Sequence, residues 1–169
     1  MKKAFMLFTA LFPMSVMATT VSMYAVDQYG VGETIGTVVV SESDYGLVLK
    51  PNLYDLTPGL HGFHLHQNPN CEPKIKQGYL VPALSAGGHY DPQQTAKHGA
   101  PWGEGHLGDL PFLYVNTMGH ADEPILAPRL KLSDIKGRSF VIHAGGDNYS
   151  DYPKAFGGGG KRVACGVIE

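Results

Sequence analysis

The sequence predicts an all-β domain, a sandwich or barrel, and three observations carry that reading. Short runs rich in Val, Ile, Thr, Tyr and Phe recur between turn signals. Glycine (22) and proline (12) punctuate the chain. No stretch sustains the 3.6-residue periodicity of a long helix. The 169 residues suit one domain with a full-sized core.

The strand candidates follow in order. Residues 21–26 form the first run, and 34–42 the second. Ser43-Asp44-Tyr45-Gly46 is a turn leading into 47–49. Residues 62–66, 112–115, 140–143 and 163–168 complete the set. Regular spacing of strands and turns is the pattern of sandwiches and barrels. Two long stretches, 67–109 and 144–161, do not read as strands. Loops of that length in a compact domain are usually either functional or disordered. There is no internal repeat and no linker. The Gly157-to-Gly160 run belongs to a loop, because too little chain follows it for another domain. It is not a phosphate loop either. Ala155 stands where the first glycine is required, and Arg162 where Ser or Thr should bind magnesium.

Residues 1–18 read differently from the rest. Lys2 and Lys3 precede a short apolar run that ends in Val16-Met17-Ala18. That is the layout of an export signal cut after Ala18, leaving a mature domain of residues 19–169. The run is short for a membrane span, and no second run approaches the length a span needs. The mature chain is expected to be soluble. Basic residues number 13 and acidic ones 15. Without Lys2 and Lys3 the balance is 11 against 15, a net of −4 with histidines neutral. No basic run or basic amphipathic segment appears, so nucleic acid is excluded as a partner. Cys71 and Cys165 are the only cysteines. An even count in an exported chain favours a disulfide, with two free thiols as the alternative. Such a bond would close a loop of roughly 90 residues, worth about 4–5 kcal/mol in chain-entropy terms.

Eight histidines are present, most in or beside the long loops. His64 and His66 are two apart on a predicted strand, so they share a face and can bind one metal. Surface strands also carry such pairs. His89, His98, His106 and Asp109 supply three imidazoles and a carboxylate, a complete tetrahedral zinc set with no place left for water. A metal there would order a loop with little other means of folding. His143 ends a predicted strand and can complete a nitrogen site with His64 and His66, a donor set that suits copper(II). Asp147 can accept a hydrogen bond from a ligand's second ring nitrogen. It also sits in the turn Gly145-Gly146-Asp147-Asn148, and both roles are compatible. Arg162 taken alone reads as a surface arginine. His61 is odd in register with His64 and His66, and reads as a hydrogen-bonded structural histidine. His120 reads as an exposed turn residue. Trp102 and Tyr149 are assigned to core or interface packing.

The motifs together resemble one family. Gly62-Phe63-His64-Leu65-His66 resembles the first copper motif of the copper/zinc superoxide dismutases. Gly87-Gly88-His89-Tyr90-Asp91-Pro92, His98 and Gly105-His106-Leu107-Gly108-Asp109-Leu110-Pro111 resemble their zinc loop. Ile142-His143-Ala144-Gly145-Gly146-Asp147-Asn148-Tyr149-Ser150-Asp151 resembles the bacterial form of the second copper segment. Lys161-Arg162-Val163-Ala164-Cys165-Gly166-Val167-Ile168 resembles the closing strand. The match runs in order over almost all of residues 19–169.

The resemblance implies a Greek-key β-barrel or sandwich with two long functional loops, one zinc and disulfide loop and one electrostatic loop. It implies one copper and one zinc ion per subunit. His64, His66, His89 and His143 would bind copper. His89, His98, His106 and Asp109 would bind zinc, with His89 shared between the metals. Asp147 would link a copper ligand to a zinc ligand, Arg162 would receive the superoxide anion, and Cys71 would pair with Cys165. Lys76, Lys154, Lys161 and Arg162 are candidates for a steering field, Lys76 foremost. The signal and the bacterial-type motifs point to the periplasm, and the family admits a homodimer or a monomer. Two other classes of function compete. A copper-carrying protein of the same fold is expected to lack a copper ligand or the anion-docking arginine, and this chain has all of them. A structural β-domain ordered only by zinc leaves His64, His66 and His143 without a purpose.

Overall fold

The computed structural model describes residues 18–169, so the export-signal reading of residues 1–18 falls almost wholly outside the described part. Its strands are β1 (Ala18–Asp27), β2 (Gly30–Ser43), β3 (Gly46–Leu53), β4 (Gly59–His61), β5 (Phe63–His66), β6 (Lys74–Lys76), β7 (Tyr79–Val81), β8 (Leu113–Val115), β9 (Ile125–Ala127), β10 (Arg138–His143) and β11 (Arg162–Ile168). One short helix, α1 (Leu132–Ile135), and two 3-10 turns, Leu84–Ala86 and Phe156–Gly158, complete the elements. No helix among the described residues is long and apolar enough to cross a membrane.

The main sheet is antiparallel, with seven strands in the order β5-β10-β11-β1-β2-β3-β9. The last two strands in sequence lie between β5 and β1. Long connections over the sheet ends produce that order, the Greek-key pattern. β4 pairs with β8, and a bridge from Leu53 to Ala121 helps close the curl. Alternation explains the closure. In β3 the residues Leu47, Leu49 and Leu53 are buried while Lys50 and Asn52 face water. Phe63, Leu65, Phe140, Ile142, Met23 and Val38 meet in one core. Phe63 and Phe140 pack with ring centroids 5.1 Å apart. Side chains of this size contribute about 1.5–3 kcal/mol each when fully buried.

A second, smaller cluster lies on the outer face of β10 and β11. Val26, Cys71, Ala83, Ala86, Val141 and Cys165 pack there, under the loop that follows β5. The Cys71–Cys165 disulfide forms within it, with Cα atoms 5.7 Å apart. The loop is therefore strapped to the barrel wall by both a bond and an apolar patch.

The predicted strands are all present, most of them longer at one end or both. Four elements lie where the sequence predicts none: β4, β9, α1 and the β6–β7 hairpin. The hairpin corrects the expectation that 67–109 holds no strands. Its loop is Gln77-Gly78, both with positive φ (52° and 84°), the two-residue geometry that suits the strand twist. All but one of its strand residues are exposed, so no buried-face alternation marked it.

Candidate metal centre

Strand β5 positions the site. Phe63 and Leu65 point into the barrel, and His64 and His66 point outward. All four are nonetheless buried, because the long loops cover the outer face. β5 is an edge of the main sheet, and its unpaired main-chain groups capture the loop. Leu65 N–H donates to the Gly108 carbonyl (2.9 Å), and Tyr90 N–H donates to the Leu65 carbonyl (2.8 Å). Isolated bridges set His64 opposite Asp109 and His66 opposite His89. Gly108 is required for this approach, since a Cβ there would lie 2.2 Å from the Leu65 carbonyl oxygen. On the other side, His64 pairs with Val141 and Phe63 with Ile142 across β10. His143 alternates with core residue Ile142, which turns its ring to the outer face. Its N–H donates to the Gly62 carbonyl (2.8 Å), holding it beside β5.

Among the described residues three groups of possible metal donors result: a triad of His64, His98 and Asp147, and two sets of four that share one residue. His64, His66, His89 and His143 form one; His89, His98, His106 and Asp109 form the other. In each, one donor atom per residue lies within 4.8 Å of every other. In the second set the Nδ1 atoms of His89, His98 and His106 gather on Asp109 Oδ1 at 2.8, 3.0 and 3.2 Å. In the first set His64 Nδ1, His66 Nε2 and His143 Nε2 are buried and have no hydrogen-bond partner. Buried polar atoms are almost always paired, so three together in one place mark a ligand site.

The opposite nitrogen of each ring is held. His64 Nε2–H donates to Asp147 Oδ2 (2.7 Å), and His98 Nε2–H donates to Asp147 Oδ1 (2.8 Å). One carboxylate thus spans the two sets. His66 Nδ1–H donates to the Gly87 carbonyl (2.9 Å) and His143 Nδ1–H to the Gly160 carbonyl (3.1 Å). These contacts fix each tautomer and leave the partnerless nitrogens as lone-pair donors. Gly157 makes room for Asp147, because a Cβ there would sit 1.9 Å from Asp147 Oδ1.

The electrostatics favour neutral donors in the first set. Burial, then the neighbouring imidazoles, hold His64 and His66 well below the usual histidine range. Burial takes His143 down to about 4, and burial also lowers His89 in spite of Asp109. Burial pulls on His98 as well, but hydrogen bonds to Asp109 and Asp147 raise it to about 9. Burial disfavours the Asp109 and Asp147 carboxylates, yet their imidazole partners hold both far below the carboxylate range. The neutral imidazoles of the first set are ready for a cation, whereas His98 would release a proton on binding one.

Arg162 begins β11 next to this cluster. Its Nη1 donates to the Ala83 carbonyl (2.5 Å) and its Nη2 to the Gly87 carbonyl (2.7 Å). Burial lowers it to about 10, so it stays charged. His61 is buried outside both sets, its ring nitrogens 2.6 Å from the carbonyl oxygens of His143 and Thr57, as a structural histidine. His120 is an exposed turn residue. Trp102 is not a core residue, which corrects that half of the packing expectation: it is 68% exposed and touches only the edge of Tyr149 among aromatic rings. The Tyr149 hydroxyl accepts the Phe112 N–H (3.2 Å). Lys76, Lys154 and Lys161 are all exposed.

Two bracing residues carried no sequence signal. Arg129 donates to the carbonyls of Pro101 (2.8 Å), Gly105 (3.0 Å) and His106 (2.6 Å), clamping the loop that holds His98 and His106. The Arg138 guanidinium lies 3.4 Å over the Tyr90 ring, next to His89. Sequence offers no motif for an arginine whose partners are main-chain oxygens.

A Greek-key β-barrel with a covered outer face and two four-residue donor groups that share one histidine is the layout of a metal-binding protein. The copper/zinc superoxide dismutase family model matches residues 34–168. The Cu-Zn superoxide dismutase of Haemophilus ducreyi is 55% identical over 158 residues, covering 92% of this chain and 79% of that one. The structure of the Brucella abortus Cu/Zn superoxide dismutase aligns with a TM-score of 0.89 at 56% identity, over 90% of this chain and all of that one. The solution structure of the monomeric Salmonella enterica enzyme aligns at 0.82 and 55%, over 90% and 100%. This chain belongs to the copper/zinc superoxide dismutase family, an oxidoreductase acting on superoxide with copper and zinc as cofactors.

Proposed function

We propose that His64, His66, His89 and His143 hold copper, and that His89, His98, His106 and Asp109 hold zinc, with His89 as the shared imidazolate. The observation that carries this is the trio of buried, partnerless nitrogens on His64, His66 and His143 beside His89. An all-imidazole set suits copper, and three imidazoles with one carboxylate suit a closed zinc site. When bound, copper supplies the one-electron couple that oxidises one superoxide to dioxygen and reduces a second to hydrogen peroxide, while zinc supplies fixed positive charge.

The chain's own groups do the rest. Arg162 docks the superoxide anion. Two of its N–H groups are committed to Ala83 and Gly87, which leaves the others to meet the anion. His89, held through Nδ1 at Asp109, would offer Nε2 either to copper or to a proton, one of the two that the peroxide-forming half needs, the other coming from solvent. Asp147 keeps His64 and His98 in the tautomers that face the metals. Burial keeps His64, His66 and His143 neutral, so no proton competes for their donor atoms. Residues 1–18 act as an export signal, the mature domain starts at Thr19, and the protein works in the periplasm. The Cys71–Cys165 bond supports this, since such bonds persist in oxidising compartments.

The test is loading of the metal-free protein with copper and zinc, followed by metal analysis and a superoxide-consumption assay. One copper and one zinc per chain with activity is expected. Zinc uptake alone, with no activity after copper is supplied, would overturn the assignment.

A further inference from the structure

Solvent reaches the four residues of the zinc set unequally. The His98 and Asp109 side chains are fully inaccessible, whereas His89 and His106 retain 5% and 8% exposure. Phe156 lies against those two rings. Its ring centroid is 5.5 Å from His89 and 6.2 Å from His106, nearly parallel to the latter at 26°. Phe156 is itself 54% exposed, so it is not a core residue. One side of its ring faces imidazoles and the other faces water.

The backbone does not favour an aromatic residue there. Phe156 has φ of +55°, and Gly157 and Gly158 follow at +69° and +81°. A left-handed conformation costs a non-glycine residue about 1–2 kcal/mol. The loop is held by Asp151, whose Oδ1 accepts the Phe156 N–H (3.0 Å) and whose Oδ2 accepts the His98 N–H (2.9 Å). The same carboxylate therefore ties the main chain of one donor residue to that of the ring covering two others. Gly157 N–H donates to the Ser150 carbonyl (3.0 Å) and Asn148 N–H to the Gly157 carbonyl (3.0 Å), closing the loop behind it.

We propose that Phe156 is a positioning residue that caps the His89–His106 edge of the zinc set and limits how fast zinc leaves. This rests on the zinc assignment above. For zinc to dissociate, an imidazole must swing off the ion and water or a chelator must take its place. His98 is locked at Nε2 by Asp147 and His89 would also be held by copper, so the ring freest to swing is His106, and the Phe156 ring stacks against it and covers the edge it shares with His89. No aromatic contact joins Phe156 to His64, His66 or His143, so the copper side is capped by other means.

The test compares zinc release to a chromophoric chelator from the copper- and zinc-loaded protein, for the parent, Phe156→Gly and Phe156→Leu. Glycine relieves the left-handed backbone, so metal-free Phe156→Gly should melt at or above the parent temperature. Its zinc release should nevertheless be faster by about tenfold or more, the scale on which groups surrounding a metal site act. Phe156→Leu keeps an apolar cover and should stay within about threefold of the parent. Release from Phe156→Gly within about twofold of the parent would overturn the cap, as would Phe156→Leu releasing zinc as fast as Phe156→Gly. Faster release matched by an equal loss of metal-free stability would also overturn it. A parent protein that takes up no zinc would overturn the zinc assignment itself, which separates the two failures.

Discussion

Replacing Asp147 with asparagine keeps the shape of the side chain and removes one acceptor. The structure predicts which metal set suffers. Oδ1 accepts two hydrogen bonds, from His98 Nε2 at 2.8 Å and from Tyr149 N–H at 2.7 Å. Oδ2 accepts one, from His64 Nε2 at 2.7 Å. An asparagine has one oxygen, and two donors at the first position outweigh one at the second. The amide oxygen takes the Oδ1 place, and the NH2 group faces His64 Nε2–H. Two donors then confront each other in a buried site. The His64 ring must lose its partner or move its proton to Nδ1, the atom assigned to copper. Losing a hydrogen bond to a charged group costs about 1.5–3 kcal/mol. Copper affinity should fall by about 10–100-fold, and zinc affinity by less than about tenfold. Competition against chelators of known affinity, one metal at a time, measures both. A zinc loss equal to or larger than the copper loss would refute the reasoning.

Four further outcomes are expected. Cys71→Ser with Cys165→Ser should cost about 4–5 kcal/mol in urea melts, since the bridged cysteines are 94 residues apart; a loss under about 1 kcal/mol would contradict the entropic account. Arg129→Met strands three main-chain oxygens and should cost about 2–4 kcal/mol while weakening zinc binding, read from urea melts and zinc competition. In the metal-free protein the His98 pKa is raised from 6.5 to about 9, so its stabilising contribution is complete below the unfolded pKa and is lost as pH rises through about 9. Calorimetry between about pH 6.5 and 9.5 should show a steeper fall in metal-free stability for the parent than for His98→Gln. Lys76→Glu should lower activity and flatten its dependence on ionic strength, and an unchanged rate–salt curve would remove Lys76 from the steering field.

The parts of the site that were legible in the sequence depend on side-chain identity and period. His64 and His66 share a face because strands alternate, and the alternation held. The zinc-type set was legible because its four donors fall on one loop and their types match one metal. Main-chain contacts leave no such record. Capture of residues 89–90 and 108–109 by the edge of β5 runs through N–H and carbonyl groups that every residue carries, and only Gly108 betrays it. Arg129 was silent for the same reason. The β6–β7 hairpin lacks a buried face, so its only signal was the Gln77-Gly78 turn. Phe156 looked like one more loop residue until the fold set it against His89 and His106.

The Gly87 carbonyl oxygen accepts from both His66 Nδ1 and Arg162 Nη2, and the neighbouring Ala83 carbonyl takes Arg162 Nη1. His66 and Arg162, the residues proposed above for copper and for the anion, stand on different strands, β5 and β11, yet both are braced by the carbonyls at the two ends of one short turn, Leu84–Ala86. Any drift of that turn carries both groups the same way. On the roles proposed above, loop motion would then disturb the two side chains together, as a common mode cancels in a differential measurement. By this logic, an insertion between Ala83 and Gly87 separates the two braces and disturbs His66 and Arg162 unequally.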